Sequence, residues 1–347
     1  MPLLSAIREI KQKQFAPIYV LHGPESFLAE EFISLAKREM IDPAYADLNM
    51  SLYDCTETSL PYILQDAETL PFLGEHRLVI AKQAYFLTGS KPQIKQESDP
   101  NVLIPYLEQP PSYTTLILCT DADKLDERKK LVKSLQQKAR VIPFPYLRDA
   151  DLYAWIERQA KKYEASIERT LTAKLAERVG GDLRLLDKEL EKMSLYVGKG
   201  GAITEEVIEK LASRTLEQDV FALIEQIATG RLDRGLRMLY DCLKTGDEPI
   251  RLLALMARQF RLLLHVRQWA PKGYTQQQLA GMLKVHPYAV KKAGEQARFF
   301  SEEALRRLLA VLAEEDFRMK SGQVDKQLAL ELFMTRVYEE RMKTKRP

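Results

Sequence analysis

Short apolar runs alternate with amphipathic stretches over the first part of the chain. APIYVLHG, LNMSLYD, HRLVIAK, TTLILCT and ARVIPFP are rich in β-branched and aromatic residues and are bounded by turn-forming ones, so each reads as a strand. Between them, residues 25–40, 60–69 and 128–137 repeat apolar positions every three to four residues, the period of a helix lying on a core. The resulting β-α-β-α-β order calls for a parallel sheet covered by helices, because parallel neighbours need a crossover between them. The polar, proline-bearing KPQIKQESDPNV, residues 91–102, reads as an exposed loop. After VIPFPYL the strand signals stop and nearly everything onward carries the i, i+3, i+4 pattern. The prediction is an α/β domain over residues 1–145 followed by two all-α domains, 146–213 and 214–347. The first helical domain is punctuated by Gly180, Gly181 and the tract 198–201; the second contains a long helix near 249–269 and another ending at 338–342.

A length of 347 residues exceeds one ordinary core, in keeping with this division. Hydrophobic residues make up 46% and charged ones 29%, a globular balance that leaves no room for a disordered or collagen-like chain. Cys55, Cys119 and Cys242 are far apart and odd in number, which argues against a disulfide framework or a zinc site and for a reducing cytoplasm. The N-terminus breaks into charge within a few residues, so no secretory signal is expected. Every apolar run falls well short of the ~20 residues that cross a bilayer. Net charge is +3 with interspersed signs, too weak a field to announce nucleic acid or an anionic membrane.

The first strand runs into His22-Gly23-Pro24-Glu25-Ser26-Phe27-Leu28-Ala29-Glu30 and then a helix, the context in which a phosphate-binding loop would sit. Such a loop needs a second glycine, a lysine for the outer phosphates and a hydroxyl for magnesium. Leu28, Ala29 and Glu30 occupy those positions, and Glu25, Glu30 and Glu31 would repel a triphosphate. The third strand ends in Ala81-Lys82 where a magnesium-holding motor would carry an acid. Both absences suit a nucleotide-handling frame that has lost its chemistry, and equally an α/β domain that never bound nucleotide. His22, His76, His265 and His286 pair with no nucleophile or ligand spacing, and the acidic cluster Asp121, Asp123, Asp126 and Glu127 reads as a solvated or capping loop. No catalytic residue, metal or cofactor is assigned.

One connection does carry a signal. Leu70-Pro71-Phe72-Leu73-Gly74-Glu75-His76 sets a rigid proline, two adjacent bulky apolar residues and a glycine between a helix and the third strand. Neighbouring large side chains on a loop do not easily both enter the same core, so at least one is a candidate for exposure to a partner. Pattern alone favours a plainer reading, in which Phe72 and Leu73 plug the helix end.

The runs APIYVLHGPESFLAEE, TLPFLGEHRLVIAK, IPYLEQPPSYTTLILCTDADKLDERKKL, GGDLRLLDKELEKMSLY and EPIRLLALMARQFRLLL, in this order, make the chain resemble the delta subunits of bacterial clamp loaders, in their Gram-positive form. The resemblance spans essentially the whole chain. It implies an AAA+-like first domain without a functional phosphate loop, a small helical lid and a helical collar that joins a ring. It implies no ATPase activity and no cofactor. The implied partners are the sliding clamp (beta), the ATPase subunits (tau/gamma), delta-prime, and primer-template DNA within the assembly. In the family an adjacent apolar pair on this loop wedges into a pocket of the clamp; by position the pair here is Phe72-Leu73, flanked by Leu70 and Pro71. Family members often carry the pair as Leu-Phe, the reverse of the order here.

Arg251, Leu255, Arg258, Leu262 and Leu263 lie on or near one face of the long helix and suit a partner there, although most such faces meet their own core. A rival reading from another class is a helical nucleic-acid-binding protein that uses Arg258, Arg261, Arg267, Lys291, Lys292 and Arg298 against phosphates; a solvated charged face explains these cations more simply.

Overall fold

The computed structural model describes residues 2–90, 92–96, 99–213 and 215–344. Lys91, Glu97 and Ser98 of the expected loop, Arg214 at the expected boundary between helical domains, and the last three residues lie outside these. The chain divides into two compact units, Met1–Tyr146 and Leu147–Pro347.

The first unit holds strands β1 (Ile18–His22), β2 (Met50–Asp54), β3 (Arg77–Lys82), β4 (Thr114–Thr120) and β5 (Arg140–Pro143), all parallel, in the order β2-β3-β4-β1-β5. Its helices are α1 (Pro2–Lys11), α2 (Ser26–Met40), α3 (Ala46–Asn49), α4 (Leu60–Ala67), α5 (Leu103–Glu108) and α6 (Lys130–Lys138). Side chains alternate across each strand. Tyr19, Leu21, Leu78 and Ile80 meet Ala6, Ile10, Phe32 and Ala36 of α1 and α2, while Ile18, Val20, Val79 and Leu118 meet Ile63, Leu103, Val132 and Leu135 of α4, α5 and α6. A strand covered on both faces needs apolar residues at successive positions, which is why the inner strands β1, β3 and β4 read as runs rather than alternations. The chain leaves β1 for α2 on one face and leaves the adjacent β4 for α6 on the other. Open α/β sheets hold ligands at the carboxyl ends of strands where such a reversal occurs, which here is beside β1 and β4.

The second unit contains α7 (Asp149–Lys162), α8 (Arg169–Val179), α9 (Leu183–Val197), α10 (Glu205–Leu211), α11 (Leu216–Ala228), α12 (Leu232–Lys244), α13 (Pro249–Trp269), α14 (Gln276–Leu283), α15 (Pro287–Ala297), α16 (Glu302–Lys320) and α17 (Lys326–Thr344). Asp182, Thr204, Thr215, Thr275 and Ser301 accept backbone N–H groups at helix starts, and α8 and α9 end at Gly180 and Gly198. A two-stranded parallel ladder, β6 (Ser166–Ile167) with β7 (Ala202–Ile203), adds strand to what reads from sequence as helix only. Two residues are too few to display a period.

α13 runs through the larger core. Leu252, Leu253, Met256, Phe260, Leu263 and Val266 are buried along it, and the Phe260 ring meets those of Phe300 and Phe333 edge-on at 6.1 and 5.5 Å. Leu263, expected near a partner face, belongs to this core: it stands three residues from Phe260 and seven from Met256, on the buried stripe. Leu255 and Leu262 pack partly against the same core, whereas Arg251 and Arg258 are exposed.

Candidate functional site

The β1–α2 turn lies at this reversal, and its backbone donors are already engaged. The Gly23 N–H donates to Thr120 O at 3.1 Å, the Glu25 N–H to Phe144 O at 3.0 Å and the Ser26 N–H to Pro24 O at 3.0 Å; Pro24 has none to give. A phosphate-binding loop works by aiming such amides at an anion. Here carbonyls of the same unit occupy them. The turn is also closed sterically: Gly23 has φ +131°, and a Cβ there would lie 2.3 Å from Phe144 O. The Glu25 side chain is buried.

The connection from α4 to β3 is built differently. Leu70, Phe72 and Leu73 are 69%, 53% and 69% exposed, while Pro71 is half-buried. What fixes them is Asn49, 1% exposed at the end of α3. Its Oδ1 accepts the Phe72 N–H at 2.6 Å and its Nδ2 donates to Phe72 O at 2.9 Å. One buried amide thereby satisfies both backbone groups of one loop residue. The Tyr45 ring meets Phe72 edge-on at 6.4 Å. Leu73 has φ +48°, a left-handed conformation unfavourable for a side chain of its size. A Cβ on Gly74 would come within 3.0 Å of Asn49 Nδ2, so glycine permits the close approach. Beyond the loop, the buried Arg77 opens β3; its guanidinium pairs with Asp66 of α4, and its Nη1 donates to Leu48 O at 3.0 Å. The Tyr113 hydroxyl donates to Glu68 O at 2.9 Å, tying down the end of α4.

Both members of the Phe72-Leu73 pair are therefore outside the core, contrary to the plug that pattern alone favours. The structure also brings in Asn49, Tyr45, Arg77 and Asp66, none of which stands out in sequence.

Elsewhere, burial and neighbouring charges shift several titratable groups. Burial holds the His22 imidazole below its ordinary range. Burial also pushes His286 down to about 4, and its Nδ1 accepts the Tyr288 N–H at the start of α15. The Cys55 and Cys119 thiols are pushed up to about 12 and that of Cys242 to about 11, so none is a thiolate at neutral pH. Asp126 is held down to about 2 by the Arg128 guanidinium beside it. Among the described residues no group of acids, histidines and cysteines is arranged to hold a metal ion, and no helix is long and apolar enough to cross a membrane. Of the cations that would serve a nucleic-acid face, Lys291 pairs with Asp149 and Lys292 with Glu177 at 2.9 Å and Glu295 at 3.4 Å; Arg258, Arg261, Arg267 and Arg298 are exposed.

Residues 19–144 match the family described as DNA polymerase III, delta subunit, and residues 217–337 match the DNA polymerase III delta subunit, C-terminal domain. The chain is 39% identical to DNA polymerase III subunit delta of Bacillus subtilis over 327 residues, covering 94% of each chain. The solved structure of the Bacillus subtilis DNA clamp loader delta protein superimposes with a TM-score of 0.86 at 38% identity, covering 97% of this chain and 99% of that one.

Proposed function

The chain belongs to the DNA polymerase III delta subunit family of clamp loaders, and from that premise we propose that it grips the sliding clamp (beta) through Phe72 and Leu73 and holds the ring open for loading onto primed DNA. The observation that carries this reading is the Asn49-latched loop, which keeps two large apolar side chains in solvent on a backbone with little freedom to collapse. Ordering costs are then largely met before the partner arrives. Leu70 and Pro71 flank the pair and complete the contact.

Fully burying two such side chains is worth roughly 3–6 kcal/mol, and less here because Phe72 is already half covered. Micromolar affinity needs about 8 kcal/mol. The pair is thus an anchor within a larger footprint. Opening follows from differential affinity: a subunit that fits a relaxed, open clamp interface better than the closed ring shifts the ring toward opening by that difference.

The chain does this without hydrolysing ATP itself, since the amides of its β1–α2 turn are bonded to its own carbonyls. Nucleotide control then belongs to partner ATPase subunits (tau/gamma), with delta-prime completing the ring around primer-template DNA in the cytoplasm. We read residues 146–213, all but the first of them in the second unit, as the lid, and 214–347 as the collar that meets those partners; the first unit carries the AAA+-like domain.

The test is binding of the purified chain to the sliding clamp of its own species, with Phe72→Ala/Leu73→Ala beside it. Binding lost in the variant at unchanged melting temperature is the expected result. A wild-type chain that ignores the clamp and binds DNA in a steeply salt-dependent way through Arg258, Arg261 and Arg267 would favour the nucleic-acid reading instead.

A further inference from the structure

A second apolar surface adjoins the loop. Leu48, in the short α3 turn, and Leu52, in the middle of β2, are 54% and 58% exposed. β2 is an outer strand of the sheet. Exposed edges are usually blunted by charge or proline, yet β2 reads MSLYD and carries no charge before Asp54. Leu52 follows Met50 on the face toward α1 and α2, where Met50 packs against the core, while Tyr53 packs on the opposite face. Leu52 therefore stands at the uncovered rim of that first face.

Two contacts join this segment to the loop, and a third joins it to the strand that follows. Asn49, next to Leu48, holds both backbone groups of Phe72; the Tyr45 ring meets the Phe72 ring; and Arg77 at the start of β3 donates to Leu48 O. Leu48 and Phe72 thus belong to neighbouring backbone held together by Asn49 and Tyr45. From this continuity, and from the shortfall of apolar burial that Phe72 and Leu73 leave, we propose that the clamp-binding surface extends across Leu48 and Leu52, so that the same clamp covers the α3–β2 rim. The proposal rests on the clamp-gripping reading above and identifies further anchors for it. Leu48 and Leu52 add two more leucine side chains of buried area, of the same order as the loop pair itself. The leucines also place the surface on the edge of the sheet, which gives the docked ring a direction: outward past β2.

The experiment titrates the full chain against its own sliding clamp, comparing wild type, Leu48→Ser/Leu52→Ser, Leu52→Arg and Phe72→Ala/Leu73→Ala, with a melting curve for each. Loss of about tenfold or more in affinity for Leu48→Ser/Leu52→Ser, with an unchanged melting temperature, is expected from removing two exposed leucines that the clamp covers. Leu52→Arg, a charge at an exposed position, weakens binding likewise and guards against a folding defect in the double variant. Less than about twofold change in both rim variants, while Phe72→Ala/Leu73→Ala loses binding, overturns the extension and leaves the loop reading intact. A wild-type chain that does not bind the clamp overturns both. Sedimentation in which the rim variants abolish self-association without touching clamp affinity also overturns it, and assigns the rim to a second copy of this chain.

Discussion

Asn49 spends both ends of its amide on one residue 23 positions away. Asn49→Ala would remove both of these part-buried hydrogen bonds, at a cost of about 0.5–1.5 kcal/mol each. Asn49→Asp keeps an acceptor for the N–H but turns an oxygen toward Phe72 O, so it should be at least as damaging. For both we expect a lower urea midpoint and a weaker clamp affinity, measured on the same preparation; Phe72→Ala/Leu73→Ala should lower affinity alone. The contrast separates presenting the anchors from being the anchors. It also marks what sequence reveals at this scale. Two bulky neighbours on a connection are visible to inspection, because their chemistry is their own. Asn49 is not, because its partner is backbone, which every residue carries, and only the fold brings the two together. The left-handed φ of Leu73 is hidden for the same reason: no glycine or asparagine announces it.

At the scale of elements, the inner strands β1, β3 and β4 are legible because burial on both faces imposes dense apolar runs. The β6–β7 ladder is not, being two residues long. Leu263 misled because a helix packed on several sides has no narrow stripe: α13 meets α11, α15, α16 and α17, so its apolar positions spread around the axis. The pairing of α16 with α17 offers a test that titrates. Glu340 on α17 accepts from Arg307 of α16 at 2.7 Å, and that bond, with a further one from Lys343, holds its carboxyl below the usual range. A depressed carboxylate stabilises the fold above the ordinary glutamate range, and that contribution is lost as pH falls through the lowered value. Wild type should therefore exceed Glu340→Gln in urea midpoint at neutral pH, and the two should converge in acid, below the depressed value. A gap that persists unchanged at low pH would mean that the carboxylate charge is not what stabilises the contact.

For the molecule as a whole, the first unit has its own sheet and two cores of its own, one on each face. Residues 1–146 should fold cooperatively when produced alone and keep the clamp affinity of the full chain within about threefold, read by circular dichroism melts and the same titration. A piece that stops at residue 113 should not fold. The reason lies in the strand order. β1 is flanked by β4 and β5, with Ile18 opposite Leu116 and Tyr19 opposite Arg140. As the chain leaves the ribosome, the first strand to emerge has neither neighbour until about a hundred more residues have followed, whereas β2 and β3 can pair much sooner. For that interval an all-apolar segment, IYVL, waits with both hydrogen-bonding edges bare. Translation speed between β1 and β4, and chaperone cover for a nascent chain of that length, should thus bear on the yield of this protein.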